Sequence, residues 1–303
     1  MKNVTIIEFP SNLGLIEPSP GHEPGVKKLP AWLKKYKFHE HIQPNEIFTL
    51  DPPSYSMNVD KVSGVRNAEA IIQYAQEQSR LLSKILATKN FPLVIGGDCS
   101  ILIGNTLALK KAGDYGLFFL DGHTDFITPD QSGTAGAAGM DLAIVSGHGH
   151  AKLTDIDGQK PYIKEAHAYC VGNREYNEAY ELPIKGSSIR YLDLLSLRKT
   201  GIENCVIDFL KMIHSKGLDG FWIHVDVDVL NDEIMPAVDS RTPGGLTYNE
   251  FDMILKLLLA DTKAAGMEIT ILDPELDPGG KYTGAFVDHF CNIINDAKEK
   301  WNK

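Results

Sequence analysis

Leu117-Phe118-Phe119-Leu120-Asp121-Gly122-His123-Thr124-Asp125 is an apolar run that ends in carboxylate, imidazole and carboxylate at alternate positions. A strand without polar residues is covered on both faces, as in a parallel sheet packed between helices. In extended backbone alternate side chains share a face, so Asp121, His123 and Asp125 converge just past the strand's end. Three such groups together need a cation. Phe221-Trp222-Ile223-His224-Val225 runs into Asp226-Val227-Asp228 on the same plan. A lone Asp-x-Asp reads as a helix cap or a turn. Two such clusters, each directly after an apolar strand, point to a metal centre with more than one ion.

Outward from these stretches the pattern alternates. Strands are expected at 4–7, 91–95, 117–120, 168–171, 189–192, 221–225 and 268–272. Helical spacing of apolar residues marks 67–87, 100–112, 141–146, 203–214, 248–259 and 285–300, with a short helix at 32–36. The Gly- and Pro-rich stretch 11–30 reads as a loop forming part of a site wall, and the region through Pro44, Pro52 and Pro53 carries no clear pattern. Alternating strands and helices give an α/β fold of three α/β/α layers with a mostly parallel sheet. Ligands in such sheets bind beyond the carboxyl ends of the strands, where both acidic clusters fall.

With 303 residues and 43% hydrophobic content, one α/β domain over 1–303 is expected. The net charge of -10 argues against nucleic acid or an anionic membrane as partner and suits a small cation better. Cys99, Cys170, Cys205 and Cys291 are far apart and form no Cys-x-x-Cys pair. That fits reduced thiols in a cytoplasm, as does an amino terminus without a signal-peptide pattern. No apolar stretch approaches membrane-spanning length.

Gly96-Gly97-Asp98-Cys99-Ser100, the two acidic clusters and Thr242-Pro243-Gly244-Gly245-Leu246-Thr247 stand in an order that resembles the ureohydrolase family of arginases, agmatinases and formiminoglutamases. The resemblance covers nearly the whole chain. It implies a binuclear manganese site and a small cationic guanidino substrate, in a homo-oligomer. Carried over residue by residue, one Mn2+ takes Cys99, Asp121, Asp125 and Asp226. The other takes His123 and Asp228, with Asp121 and Asp226 bridging. Such ions lower the pKa of water enough for hydroxide to attack an amidinium carbon near neutral pH. A nearby acid then protonates the departing nitrogen, and Asp125 and Glu275 are the catalytic candidates.

The chain departs from the family's pattern in several places. Cys99 stands where the family usually has His, and with a softer thiolate ligand that ion is expected to be bound weakly, exchanged for a softer one, or lost; the alternative is a small buried apolar residue. Ala138-Gly139 replaces a His-Gly pair whose His moves protons, leaving His148 and His150 as substitutes or as solvated loop residues. Ile271 falls where arginases have a Glu against the guanidinium, so Asp273 or Glu275 would supply that carboxylate unless both are turn-formers. The segment around Glu175, Asn177 and Glu178 matches the loop that contacts the substrate's amino-acid end, with Asn177 in place of Asp. Asp98 reads as a turn residue, and His224 as a core histidine or a partner behind a ligand. The leading expectation is hydrolysis of a guanidino or N-substituted guanidino compound to urea or a substituted urea. The rival is a ureohydrolase-like regulatory or ligand-binding protein without catalysis.

Overall fold

A computed structural model describes residues 2–302. Its strands are β1 (Val4–Glu8), β2 (Glu46–Thr49), β3 (Phe91–Ile95), β4 (Tyr115–Leu120), β5 (Ala168–Val171), β6 (Arg190–Leu192), β7 (Gly220–Asp226) and β8 (Ala264–Thr270). They form one eight-stranded sheet in the order β2-β1-β3-β8-β7-β4-β5-β6. Every neighbouring pair is parallel, so the sheet is wholly rather than mostly parallel.

Alternation along the strands sorts two cores. Ile6, Phe118, Leu120, Phe221, Ile223 and Val225 pack toward helices Ile202–Ser215, Tyr248–Ala260 and Lys281–Trp301. Ile7, Val94, Leu117, Phe119 and Trp222 pack on the other face, toward Ala68–Leu86 and Ile101–Ala112. Phe118 and Phe119 are both fully buried, one on each face, and each contributes about 2–3 kcal/mol by leaving water. The same alternation puts Asp121 on the Phe119 side of β4, and His224 and Asp226 on the Trp222 side of β7. Phe119 lies opposite His224 in the ladder, so these donors share one face of the sheet.

Several elements escape the sequence pattern. β2 is an edge strand with mostly exposed residues, so it has no apolar run to mark it. Helix Glu178–Lys185 carries an internal Pro183, and helix Leu194–Thr200 buries only two residues, so neither shows strong periodicity. β8 spans Ala264–Thr270 instead of 268–272, because Ile271 leaves the ladder at φ 75°. The four cysteines are buried and unpaired. No described helix is long and apolar enough to cross a membrane.

Candidate metal centre

The five central strands β3, β8, β7, β4 and β5 are lateral neighbours, and the loops at their carboxyl ends meet. After β3 the chain turns through Gly96-Gly97, where a Cβ on Gly97 would collide with the backbone of Ser11. Asp98 is consumed by that turn: Ser11 Oγ donates to Oδ2 at 2.7 Å and the Ser100 N–H to Oδ1 at 2.9 Å. The turn delivers Cys99 Sγ to 3.0 Å from both Asp226 Oδ2 and Thr270 Oγ1.

From β4, the Asp121 backbone N–H still donates to Val171 O of β5 at 3.1 Å, which fixes its side chain over the sheet edge. Asp121 Oδ1 accepts from the His123 N–H at 2.6 Å. His123 Nδ1 lies 2.8 Å from Asp228 Oδ2 and 3.7 Å from Asp121 Oδ1, while Thr242 Oγ1 stands 3.4 Å from its other ring nitrogen. Asp228 Oδ1 accepts from the Gly122 N–H at 2.9 Å, and Asp226 Oδ1 from the Asp228 N–H at 2.7 Å. Among the described residues, two groups of potential ligands have atoms within 4.8 Å of one another: Asp121, His123 and Asp228, and Cys99, Asp121 and His224. Asp226 adjoins the second group through Cys99. Asp125, at φ 42°, lines a cavity together with Cys99, His123, Asp226 and Asp228.

Electrostatics show what the cluster lacks. Burial, then the neighbouring Asp228, raises the Asp121 carboxyl above its ordinary range. Burial and adjacent carboxylates push Asp125 and Asp226 well up too. Burial works against a charged His123, yet Asp228 and Asp121 outweigh it and push the imidazole up to about 10. Burial likewise opposes the Asp228 carboxylate, and the charges of His123 and Arg174 still hold it below the usual range. Asp121 Oδ2 and His224 Nε2 are buried without any hydrogen-bond partner. Crowded carboxylates out of water need positive charge among them, and oxygen, imidazole and thiol donors around unpartnered buried atoms fit divalent ions. Asp121, His123, Asp226 and Asp228, with Cys99 and Asp125, are the residues that could hold them.

The donors open into a cavity of about 290 Å³ whose lining includes Cys99, His123, Asp125, Asp226, Asp228 and Glu175. Partial burial of Glu175 holds its carboxyl above the usual range. Other expected residues point elsewhere. Asn177 caps helix Glu178–Lys185 by accepting the Ala179 N–H at 3.0 Å, and Glu178 is that helix's exposed first residue. Asp273 is a turn-former, accepting from the N–H groups of Gly25 at 3.1 Å and Glu275 at 2.8 Å. Glu275, expected as a catalytic group, does not line this cavity in the structure: its carboxylate is 2.5 Å from His22 Nε2 and paired with Lys28. His148 is exposed and 2.6 Å from Glu165, and His150 caps a short helix.

Some cavity residues went unread in the sequence. Asp239, Ser240 and the segment Ser132-Gly133-Thr134 line the wall, beside Ala138 and Ile271. They sit in loops without periodicity, which hides them. Glu268 carried a usable signal: it is a carboxylate inside an apolar strand, and it pairs in the ladder with His224.

An all-parallel α/β/α sheet with a buried carboxylate, imidazole and thiol cluster at its carboxyl edge defines a class of α/β proteins with a candidate cation site. Within that class, the profile of the Arginase family matches residues 2–293. An arginase of Staphylococcus aureus (strain MRSA252) is 30% identical over 216 residues, 71% of each chain. An arginase of Bacillus subtilis (strain 168) is 25% identical over 284 residues, 92% of this chain and 93% of that one. The native structure of arginase from Bacillus caldovelox superposes with a TM-score of 0.86 at 25% identity, covering 97% of this chain and 98% of that one. The chain belongs to the arginase family.

Proposed function

We propose that this chain is a metal-dependent hydrolase that cleaves a C–N bond of a linear amidine, a guanidino or N-substituted guanidino compound, releasing urea or a substituted urea. The observation that carries the reading is the convergence of Asp121, Asp226, Asp228 and His123 beside one cavity. Manganese ions, when bound, supply hydroxide near neutral pH by lowering the pKa of water. The chain's residues do the rest. Glu175 and Asp239 on the wall give the cavity a negative field that attracts a guanidinium and orients it toward the cluster. Asp125, buried beside Asp121, holds or passes a proton at its carboxyl oxygen.

Substrate preference follows from what the wall lacks. Ala138, Gly139 and Ile271 line it without a titratable group, so nothing at these positions grips an unsubstituted guanidinium nitrogen. The small residues Ala138 and Gly139 leave room for a substituent, and an N-hydroxyguanidine, which brings its own oxygen, suits the site. The test is the purified chain with Mn2+ and a panel of guanidino compounds, including an N-hydroxyguanidine, assayed for urea and hydroxyurea. Release from at least one member is expected. A panel left intact by protein carrying two equivalents of divalent metal, both as manganese alone and as manganese with zinc, would overturn the hydrolase and leave a ligand-binding protein.

A further inference from the structure

Behind the cavity one imidazole remains without a task. His224 is completely buried and its ring stacks on Phe119, with centroids 4.4 Å apart and planes 6° from parallel. Its Nδ1 is 2.5 Å from Glu268 Oε1, and Asn105 donates to the other oxygen of Glu268. Stack and hydrogen bond together fix the ring. They aim Nε2 at Asp121 Oδ2, 3.8 Å away, and at Cys99 Sγ. Both Nε2 and that carboxylate oxygen are buried and have no hydrogen-bond partner.

A separation of 3.8 Å is too long for a hydrogen bond but suits two atoms that share an ion. Bonds of about 2.1 Å at a tetrahedral angle place donor atoms about 3.4 Å apart. A carboxylate on the far ring nitrogen is how a metal-binding histidine is usually oriented. We infer that His224 is a direct ligand, with Cys99 and Asp121, of one of two unlike ion sites, and that this site takes a thiophilic divalent cation such as Zn2+. The Asp121, His123 and Asp228 site, with only oxygen and one imidazole, takes a harder ion such as Mn2+. Asp226 Oδ2, 3.0 Å from the thiol, lies beside this set of three donors and accepts the proton of Cys99 in the ion-free chain.

Binding is an acid–base exchange without redox change. The Cys99 S–H bond, now donated to Asp226, breaks; a sulfur–metal bond forms; and the proton leaves to solvent. The arrangement follows from the sheet. Cys99 comes from the turn after β3 and Asp121 from the end of β4, while His224 stands within β7 with Glu268 as its ladder neighbour on β8. An imidazole supplied from inside a strand serves the ion where the turn offers a thiol.

The inference rests on the two-ion reading of the cavity, and its test is separable from turnover. The full chain is stripped of ions, reloaded with one equivalent of Zn2+ and measured by zinc-edge X-ray absorption. Sulfur and imidazole scattering from the same zinc are expected. His224→Gln is expected to lose the imidazole contribution and keep the sulfur, and Cys99→Ser the reverse. A wild-type zinc shell lacking either sulfur or imidazole overturns the inference without any variant, and so does imidazole scattering that persists in His224→Gln. If manganese-loaded protein cleaves a guanidino compound while the zinc shell lacks imidazole, the inference fails and the hydrolase stands. If zinc carries both sulfur and imidazole while the substrate panel stays intact, the hydrolase fails and the zinc site stands.

Discussion

The floor and the wall of the cavity have been shaped differently. On the floor, Asp121, Asp226 and Asp228 are almost wholly buried, and each is held by a backbone N–H or a neighbouring donor. On the wall, Ala138 and Ile271 are apolar and Glu175 is partly solvated, while Asn177, Asp273 and Glu275 lie off it, spent on a helix cap, a turn and a surface ion pair. The contrast separates two tasks. Gathering ions demands several oxygen atoms within a few ångströms, which fixes residue type and backbone together. Recognising a substrate demands only shape and charge at a distance, which loops can supply from many positions.

The largest test of this division is on the floor. Asp226→Ala is expected to weaken ion binding by more than about 100-fold, beyond what loss of a group behind a ligand costs. Elemental analysis after dialysis against Mn2+ checks it, and a variant that keeps two ions would place the ion site elsewhere. Next, ions that bind only the folded chain stabilise it by about 2.7 kcal/mol at a hundredfold excess over their dissociation constant. Calorimetry with Mn2+ and with a chelator should show this shift, and the Asp226→Ala chain should show almost none.

Effects on the wall should be smaller. Glu175→Gln removes one partly solvated attraction of about 1 kcal/mol, so KM should rise about fivefold with kcat unchanged. A fall in kcat instead would assign Glu175 to proton transfer. The smallest effect belongs to Glu275→Gln, which should leave ion content and turnover as they are and change stability by no more than about 0.5 kcal/mol. A tenfold loss of turnover would put Glu275 back on the cavity wall.

The floor was legible because its chemistry is written locally. Asp121 to Asp125 and Asp226 to Asp228 each follow an apolar strand, and strand periodicity says where their side chains go. The parallel sheet was legible for the same reason. β2 was hidden because an exposed edge strand needs no apolar run. The wall was hidden because Asp239 and Ser240 reach the cavity through loop conformation, and Glu275 misses it through a turn two residues long at Asp273. His224 fell between these cases. Its side of the strand could be read, but whether its ring met a partner depended on Glu268, 44 residues away.

Ile271 carries a longer consequence. It holds φ 75°, which a β-branched residue adopts only under constraint, and its N–H is tied to Gly97 O at 2.8 Å. The peptide frame at this point is therefore set by its neighbours, whatever side chain it bears. A replacement there faces the same cavity, so single codon changes at 271 alter the shape of the wall without remodelling a loop. Those that tolerate this backbone shape better than isoleucine will relieve strain as they do so.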